Sequence, residues 1–277
     1  MMLPAGVVRN ARASYAFFER NMNLTKRYWA WEAVWLVYNI VNAVSVVFIG
    51  ASAPVITGKP IDTNYFILYL MIGTVVWSYL SVAFDQVTET ITIERWEGTI
   101  EYTFMAPIAR LTQLLGSCLF AVVHGFFFVA VQLVVISLFF HLDLSHANIL
   151  TSAGMMLIGS VSFIGFGIMA AILPLLYTER GAQMAYIIRA LILLVSGVYY
   201  PVSVLPSWMQ PIASISPATY VLDGMRAGLL NNQPLTALWG DIWPLLVAGV
   251  VSIPVGIWIF RRAERYAKRT GKLKRNG

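Results

Sequence analysis

Charge is scarce in this sequence. Of 277 residues only 12% are Asp, Glu, Lys or Arg, whereas 58% are hydrophobic, and mean hydropathy is +0.71. Average soluble chains are about 25% charged, so this composition excludes a soluble enzyme and a disordered chain. Cysteine is nearly absent: Cys118 stands alone in an apolar run, which excludes a disulfide framework and a zinc cluster. The Walker A pattern is missing. Gly58-Lys59 and Gly271-Lys272 lack the rest of that motif, so the chain cannot hydrolyse ATP alone. The first 28 residues have basic groups but no apolar core, unlike a secretory signal. The apolar runs hold no carboxylate pair, no His/Glu metal spacing and no Ser-His-Asp set. Intramembrane hydrolysis and a proton-relay antiporter are therefore unsupported. A secondary transporter would also carry inverted repeats, and no internal repeat is evident.

What is present is a series of long hydrophobic runs. A span needs about 20 apolar residues. Six stretches qualify or nearly so: 33–53, 65–84, 114–140, 151–176, 183–200 and 238–260. The fifth is shorter and carries Arg189, and the sixth contains Pro244 and Pro254, which a membrane helix tolerates. The predicted fold is an all-α integral membrane domain occupying residues 1–277. Over 7–28, Val8, Ala11, Tyr15, Phe18 and Met22 recur at helical spacing, with Arg9, Arg12, Glu19 and Arg20 off that stripe. This reads as an amphipathic helix in the membrane interface, followed by Trp29, Trp31 and Trp35, which suit the headgroup boundary. A soluble pre-helix packed on a partner is the plainer reading.

Lys and Arg counts set the orientation. With both termini cytoplasmic, 16 of the 19 Lys and Arg residues fall inside, Lys59 and Arg226 outside, and Arg189 within a span. This is the positive-inside pattern. The basic tail 261–277 holds eight Lys or Arg and one Glu, so the net +6 belongs to it. Such a tail grips anionic headgroups or an acidic partner, and it gives no reason to invoke nucleic acid.

Residues 85–113 break the apolar pattern. Asp85, Glu89, Glu94, Glu97 and Glu101 are five of the 13 acidic residues. The expectation is a short helix leaving the membrane, a turn near Gly98 and a second short helix ending near Pro107. A solvated loop is the bland alternative. Against it stand Trp96, Ile100, Tyr102, Phe104 and Met105, large apolar groups of the kind that mark a docking surface. A second irregular region covers 201–230. Pro201, Pro206, Pro211 and Pro217 rule out one continuous helix, yet the segment is mostly apolar. It reads either as re-entrant half-helices or as an external loop resting on the bilayer.

Both regions resemble one family. Glu94-Arg95-Trp96-Glu97-Gly98-Thr99-Ile100-Glu101, followed by Met105-Ala106-Pro107-Ile108, is similar to the cytoplasmic signature of ABC-2 type transporter permeases. The departure is Trp96, where a charged residue is more usual. The runs from Ser196-Gly197 through Pro201, Leu205-Pro206-Ser207-Trp208 and Pro217-Ala218-Thr219-Tyr220 to Arg226 resemble the second signature of that family. The resemblance implies that 88–107 is a coupling segment seated on a separate ATP-binding subunit. It assigns the contact to Glu94, Arg95, Trp96, Glu97, Gly98, Thr99, Glu101 and Pro107. It implies an external gate of re-entrant helices at Tyr199, Tyr200, Pro201, Pro206, Trp208, Pro217 and Tyr220. It further implies two ATP-binding subunits, a second permease copy or paralogue, and no cofactor in this chain, ATP and Mg belonging to the partner.

Polar groups within the spans are few. Arg189 is read either as a snorkelling or ion-paired residue or as a cavity-lining one. His124, Gln132, Asn39, Asn42 and Gln183 read as interhelical hydrogen-bonding groups. Met155 and Met156 suit lipid-facing packing. Gly159, Ser160, Ser162, Gly165 and Gly167 give the fourth span a face for close helix approach, within the chain or at a dimer seam. The implied function is the permease of an ATP-driven exporter in the cytoplasmic (inner) membrane, moving an amphiphilic or drug-like substrate. The alternatives are export of a lipid-linked polysaccharide or teichoic acid, and a non-transporting membrane scaffold.

Overall fold

The computed structural model describes residues 5–58, 62–106, 108–140 and 147–273. Lys59, Pro107, Lys274 and Arg275 lie outside the described residues, as do the side chains of Val8 and Arg110. Regular structure among the described residues is all helical. The long helices are α1 (Ala5–Arg27), α2 (Trp29–Thr57), α3 (Thr63–Glu97), α5 (Arg110–Phe139), α6 (Ile149–Ala170) and α11 (Trp239–Arg269). Shorter ones are α4 (Ile100–Met105), α7 (Ile172–Leu176), α8 (Gly181–Val195), α9 (Gln210–Ala213) and α10 (Pro217–Asn231). Five segments are long and apolar enough to cross a membrane: 29–56, 63–97, 111–139, 149–176 and 235–269. The sixth, α8, has 15 residues, about 22 Å of rise. It stops before the expected limit at 200 because Ser196 and Gly197 turn the chain, with Gly197 at φ 69°.

Local chemistry sets the helix ends. The Asp62 carboxylate accepts from Tyr65 N–H at 3.1 Å and starts α3. The Asn148 side chain does the same for α6 through Thr151 N–H at 3.0 Å. Gly58 and Gly98, both left-handed, close α2 and α3, a conformation that glycine adopts without a Cβ penalty.

Several expectations are corrected. There is no break at residue 85: the second apolar run and the acidic stretch after it form one helix of 35 residues, about 52 Å long. No Gly or Pro interrupts 74–97, so nothing stops it. As expected, α11 runs through Pro244 and Pro254, but it passes the expected limit at 260 and carries the basic tail in helical form to Arg269. Met155 and Met156 are buried in the main core rather than facing outward. A uniformly apolar helix does not announce which face meets protein. On α1 the face seated on α5 is Ser14, Phe17 and Asn21. Ser14 Oγ donates to the Thr112 carbonyl and Asn21 to Ser117 Oγ, and a Cβ on Gly116 would strike Ser14 and Phe17. The predicted apolar stripe is centred about a quarter turn from that face: Phe18 packs edge-on against Phe120 of α5, whereas Tyr15 is exposed.

The small-residue face of α6 is spent on contacts inside the chain. A Cβ at Gly159 would meet Val221 of α10, one at Gly165 would meet Ser252 of α11, and one at Gly167 would meet the Phe84 carbonyl of α3. Ser162 Oγ also donates to the Leu245 carbonyl at 2.7 Å. In contrast most of the apolar surface of α2 is exposed.

Candidate functional site

Two ends of the bundle and one cavity between helices gather the polar and broken segments. At one end α3 turns through Gly98 into α4. Ile100 and Phe104 are buried there with Leu114, Leu175 and Phe260, so they anchor the elbow. Trp96, Tyr102 and Met105 remain exposed at 58%, 77% and 74%. Two of the five apolar groups expected to face water are therefore core, and three are surface.

Glu94 and Arg95 are almost fully buried. The Glu94 carboxylate receives Arg20 Nη1 at 2.7 Å and Gln113 Nε2 at 3.2 Å. That ties the elbow to α1 and α5. Arg95 donates to Thr178 Oγ1, and Trp96 Nε1 reaches the Thr178 carbonyl at 3.4 Å. Lys268 of α11 reaches the Phe104 carbonyl at 3.4 Å and pairs with Glu264 at 2.7 Å. The elbow is thus held from α1, α5, the turn before α8 and α11. Glu97 is exposed, and Thr99 and Glu101 are half-buried.

At the other end the chain after α8 folds inward. A Cβ on Gly73 would collide with the Val198 carbonyl. Gly73 lies ten residues into α3, so this turn reaches about 15 Å inside the helix start. Helix α10 is similarly recessed. Asn148 N–H, at the start of α6, donates to the Gly228 carbonyl at 3.0 Å, whereas Val221 packs at Gly159. These two contacts are seven residues apart on α10, about 10 Å of rise, so its start lies that much deeper than its end. Ser196 and Ser216 join hydroxyls at 2.7 Å across the segment. Arg226 fixes it further: Nη2 donates to the carbonyls of Gly197 at 3.1 Å and Val198 at 2.9 Å. The guanidinium also lies 3.6 Å from the Tyr69 ring centre.

The seven residues of the expected gate separate. Tyr199 and Tyr220 pack on the main core, Pro217 is buried, and Pro201, Pro206 and Trp208 are exposed. Tyr200 donates to the Leu194 carbonyl at 2.5 Å and Tyr220 to the Ser214 carbonyl at 2.6 Å, which pins both hydroxyls to the turn.

Between the ends, a cavity of about 450 Å³ opens between α1, α2, α3 and α8. Asp85 and Glu89, expected in a loop, line it from α3, and Glu32 lines it from α2. Arg189 pairs with Asp85 and lies 5.0 Å from the Tyr186 ring centre. Of the two readings of Arg189, the geometry is that of the ion-paired residue beside a cavity. His124 Nε2 stands 3.4 Å from Glu32 Oε2, its ring stacked on Phe120 at 5.1 Å.

Sequence reasoning passed over Glu32 and Arg20, whose partners are distant in sequence. A signal for Asp85 and Glu89 was available. In a stretch without helix breakers, positions 85, 89 and 96 share one helix face, and that face is the cavity wall.

Residues 15–230 match the sequence profile of the family described as ABC-2 type transporter. The probable multidrug ABC transporter permease YbhR of Escherichia coli (strain K12) is 25% identical over 192 residues, 69% of this chain and 49% of YbhR. The inner membrane transport permease YadH of the same strain is 24% identical over 182 residues, 65% of this chain and 70% of YadH. YadH of Shigella flexneri matches with the same figures. The chain spans about half the length of YbhR.

Proposed function

The chain belongs to the ABC-2 type transporter family, and from that premise we propose that it is the membrane-spanning permease of an ATP-driven exporter. It is a multi-pass membrane protein and carries no Walker A motif of its own. In the proposed topology α8 is the sixth span, both termini are cytoplasmic, and the segment from 196 through α10 is re-entrant. The depth of the Gly73–Val198 contact and the 16-of-19 distribution of Lys and Arg support this arrangement. ATP and Mg then belong to ATP-binding subunits, two of which serve this chain and a second permease. Nucleotide-driven movement at the elbow alternates access to an amphiphilic or drug-like substrate. The exposed gate residues near Trp208 close its outer exit.

One observation carries the reading. The α3–α4 elbow exposes Trp96, Tyr102 and Met105 while its other large apolar side chains, Ile100 and Phe104, are buried. Exposed apolar groups on a rigid tip with acidic neighbours suit docking into a cleft of another subunit. Co-purification of the ATP-binding subunit with variants tests it. Tyr102→Asp should abolish capture and substrate-stimulated ATP hydrolysis without lowering the melting temperature, because the side chain is mostly exposed. Capture and stimulation at wild-type levels would refute the docking assignment.

A further inference from the structure

The cavity has a size suited to a drug-like ligand, for which pockets run about 300–1,000 Å³. Its walls have two chemistries. Trp31 and Trp35 of α2 and Tyr186 of α8 give aromatic surface, and Glu32, Asp85 and Glu89 give carboxylates. The basic groups beside it are already engaged. Arg20 is held by Glu94 at 2.7 Å and Arg189 by Asp85. Among the described residues Glu32 is paired with the imidazole of His124 alone. Among the described residues the Glu89 carboxylate has no hydrogen bond or ion pair, and it lies within electrostatic reach of Glu32 and His124.

Two like charges near each other across an apolar-walled space repel, and a cation between them removes the repulsion. Aromatic faces add attraction for the same charge. A bare metal ion fits poorly, since among the described residues no group of three His, Cys, Asp or Glu converges to hold one. We propose that this cavity binds an amphipathic, monovalent organic cation. The charged head lies between Glu32 and Glu89, and the apolar body lies against Trp31, Trp35 and Tyr186. An anion of the same shape is rejected. This assignment of substrate class rests on the export reading above.

The test uses two probes of equal shape and opposite charge, tetraphenylphosphonium and tetraphenylborate. Binding of each is measured on the full chain in nanodiscs, without the ATP-binding subunit. Phosphonium should bind at least about tenfold more tightly than borate. Glu89→Gln and Glu32→Gln should each weaken phosphonium about tenfold and narrow the gap, while Glu89→Asp keeps the preference. Asp241→Asn, remote from the cavity, should match wild type, and melting curves identify any variant that has not folded. Equal binding of the two probes by wild type, or wild-type phosphonium binding by both Gln variants, overturns the proposal. A complex that exports other compounds but whose permease does not bind phosphonium sinks the cavity assignment and leaves export standing. Charge-selective binding by a permease whose complex exports nothing does the reverse.

Discussion

Removing the Glu94 carboxylate should impair coupling although Glu94 is buried inside the bundle. Its side chain is fully buried, while that of Arg20 is 33% exposed. Breaking a wholly buried pair costs about 3–5 kcal/mol, and an exposed pair contributes about 0.2–1 kcal/mol. Here the freed guanidinium can rehydrate, but Gln113 Nε2 loses its acceptor inside the bundle. An intermediate cost of about 2 kcal/mol follows, roughly a thirtyfold change in the equilibrium that holds α1 and α5 against the elbow. For a chain of this size that lowers the melting temperature of the purified permease by about 4–8 °C. Arg20→Ala, which leaves the buried Glu94 carboxylate with only Gln113, should give a melting shift at least as large as Glu94→Ala and the same fall in transport per ATP hydrolysed. In a double-mutant cycle the two losses should overlap by at least about 1 kcal/mol. If Glu94→Ala abolished coupling while Arg20→Ala left both melting and coupling unchanged, Glu94 would act by direct contact and the bracing argument would fail.

Three further outcomes are expected. Arg226→Lys should lower the melting temperature and admit a leak through the reconstituted permease, because a lysine has no planar guanidinium to lie on Tyr69 while its nitrogen donates to both carbonyls; a loss of about 2 kcal/mol is expected, read by dye efflux from vesicles. Gly73→Val places carbon against the Val198 carbonyl and should cost about 1–3 kcal/mol by thermal unfolding, whereas Gly240→Ala, with open space around its Cβ position, should cost little. Asp85→Ala strands Arg189 beside the cavity and should destabilise by about 2–4 kcal/mol. Asp85→Ala with Arg189→Met should recover most of that loss in the same assay.

The elements readable from sequence were those with a local cause. Gly98 marks the elbow because its backbone is left-handed, and Pro201, Pro206, Pro211 and Pro217 break the segment before α10 because each lacks a donor. The long apolar runs located five helices by composition alone. What escaped notice depends on distant partners. Arg20 meets Glu94 across 74 residues and Arg95 meets Thr178 across 83, so burial of the acidic-loop signature was invisible. The inward orientation of Met155 and Met156 was equally hidden, since apolar residues surround α6 on every face of the sequence pattern.

The Asp85–Arg189 pair also bears on how the chain is made. In the proposed topology α8 must enter the bilayer, although it has only 15 residues and carries an arginine. A central Arg raises the insertion free energy by about 2.5–3.5 kcal/mol. Asp85 leaves the ribosome 104 residues before Arg189, about 5–20 s earlier at ordinary synthesis rates. Its counter-charge is therefore in place on α3 when α8 arrives. The weakest of the segments is inserted against a scaffold already assembled, and the order of synthesis, rather than the hydrophobicity of α8 alone, secures its place.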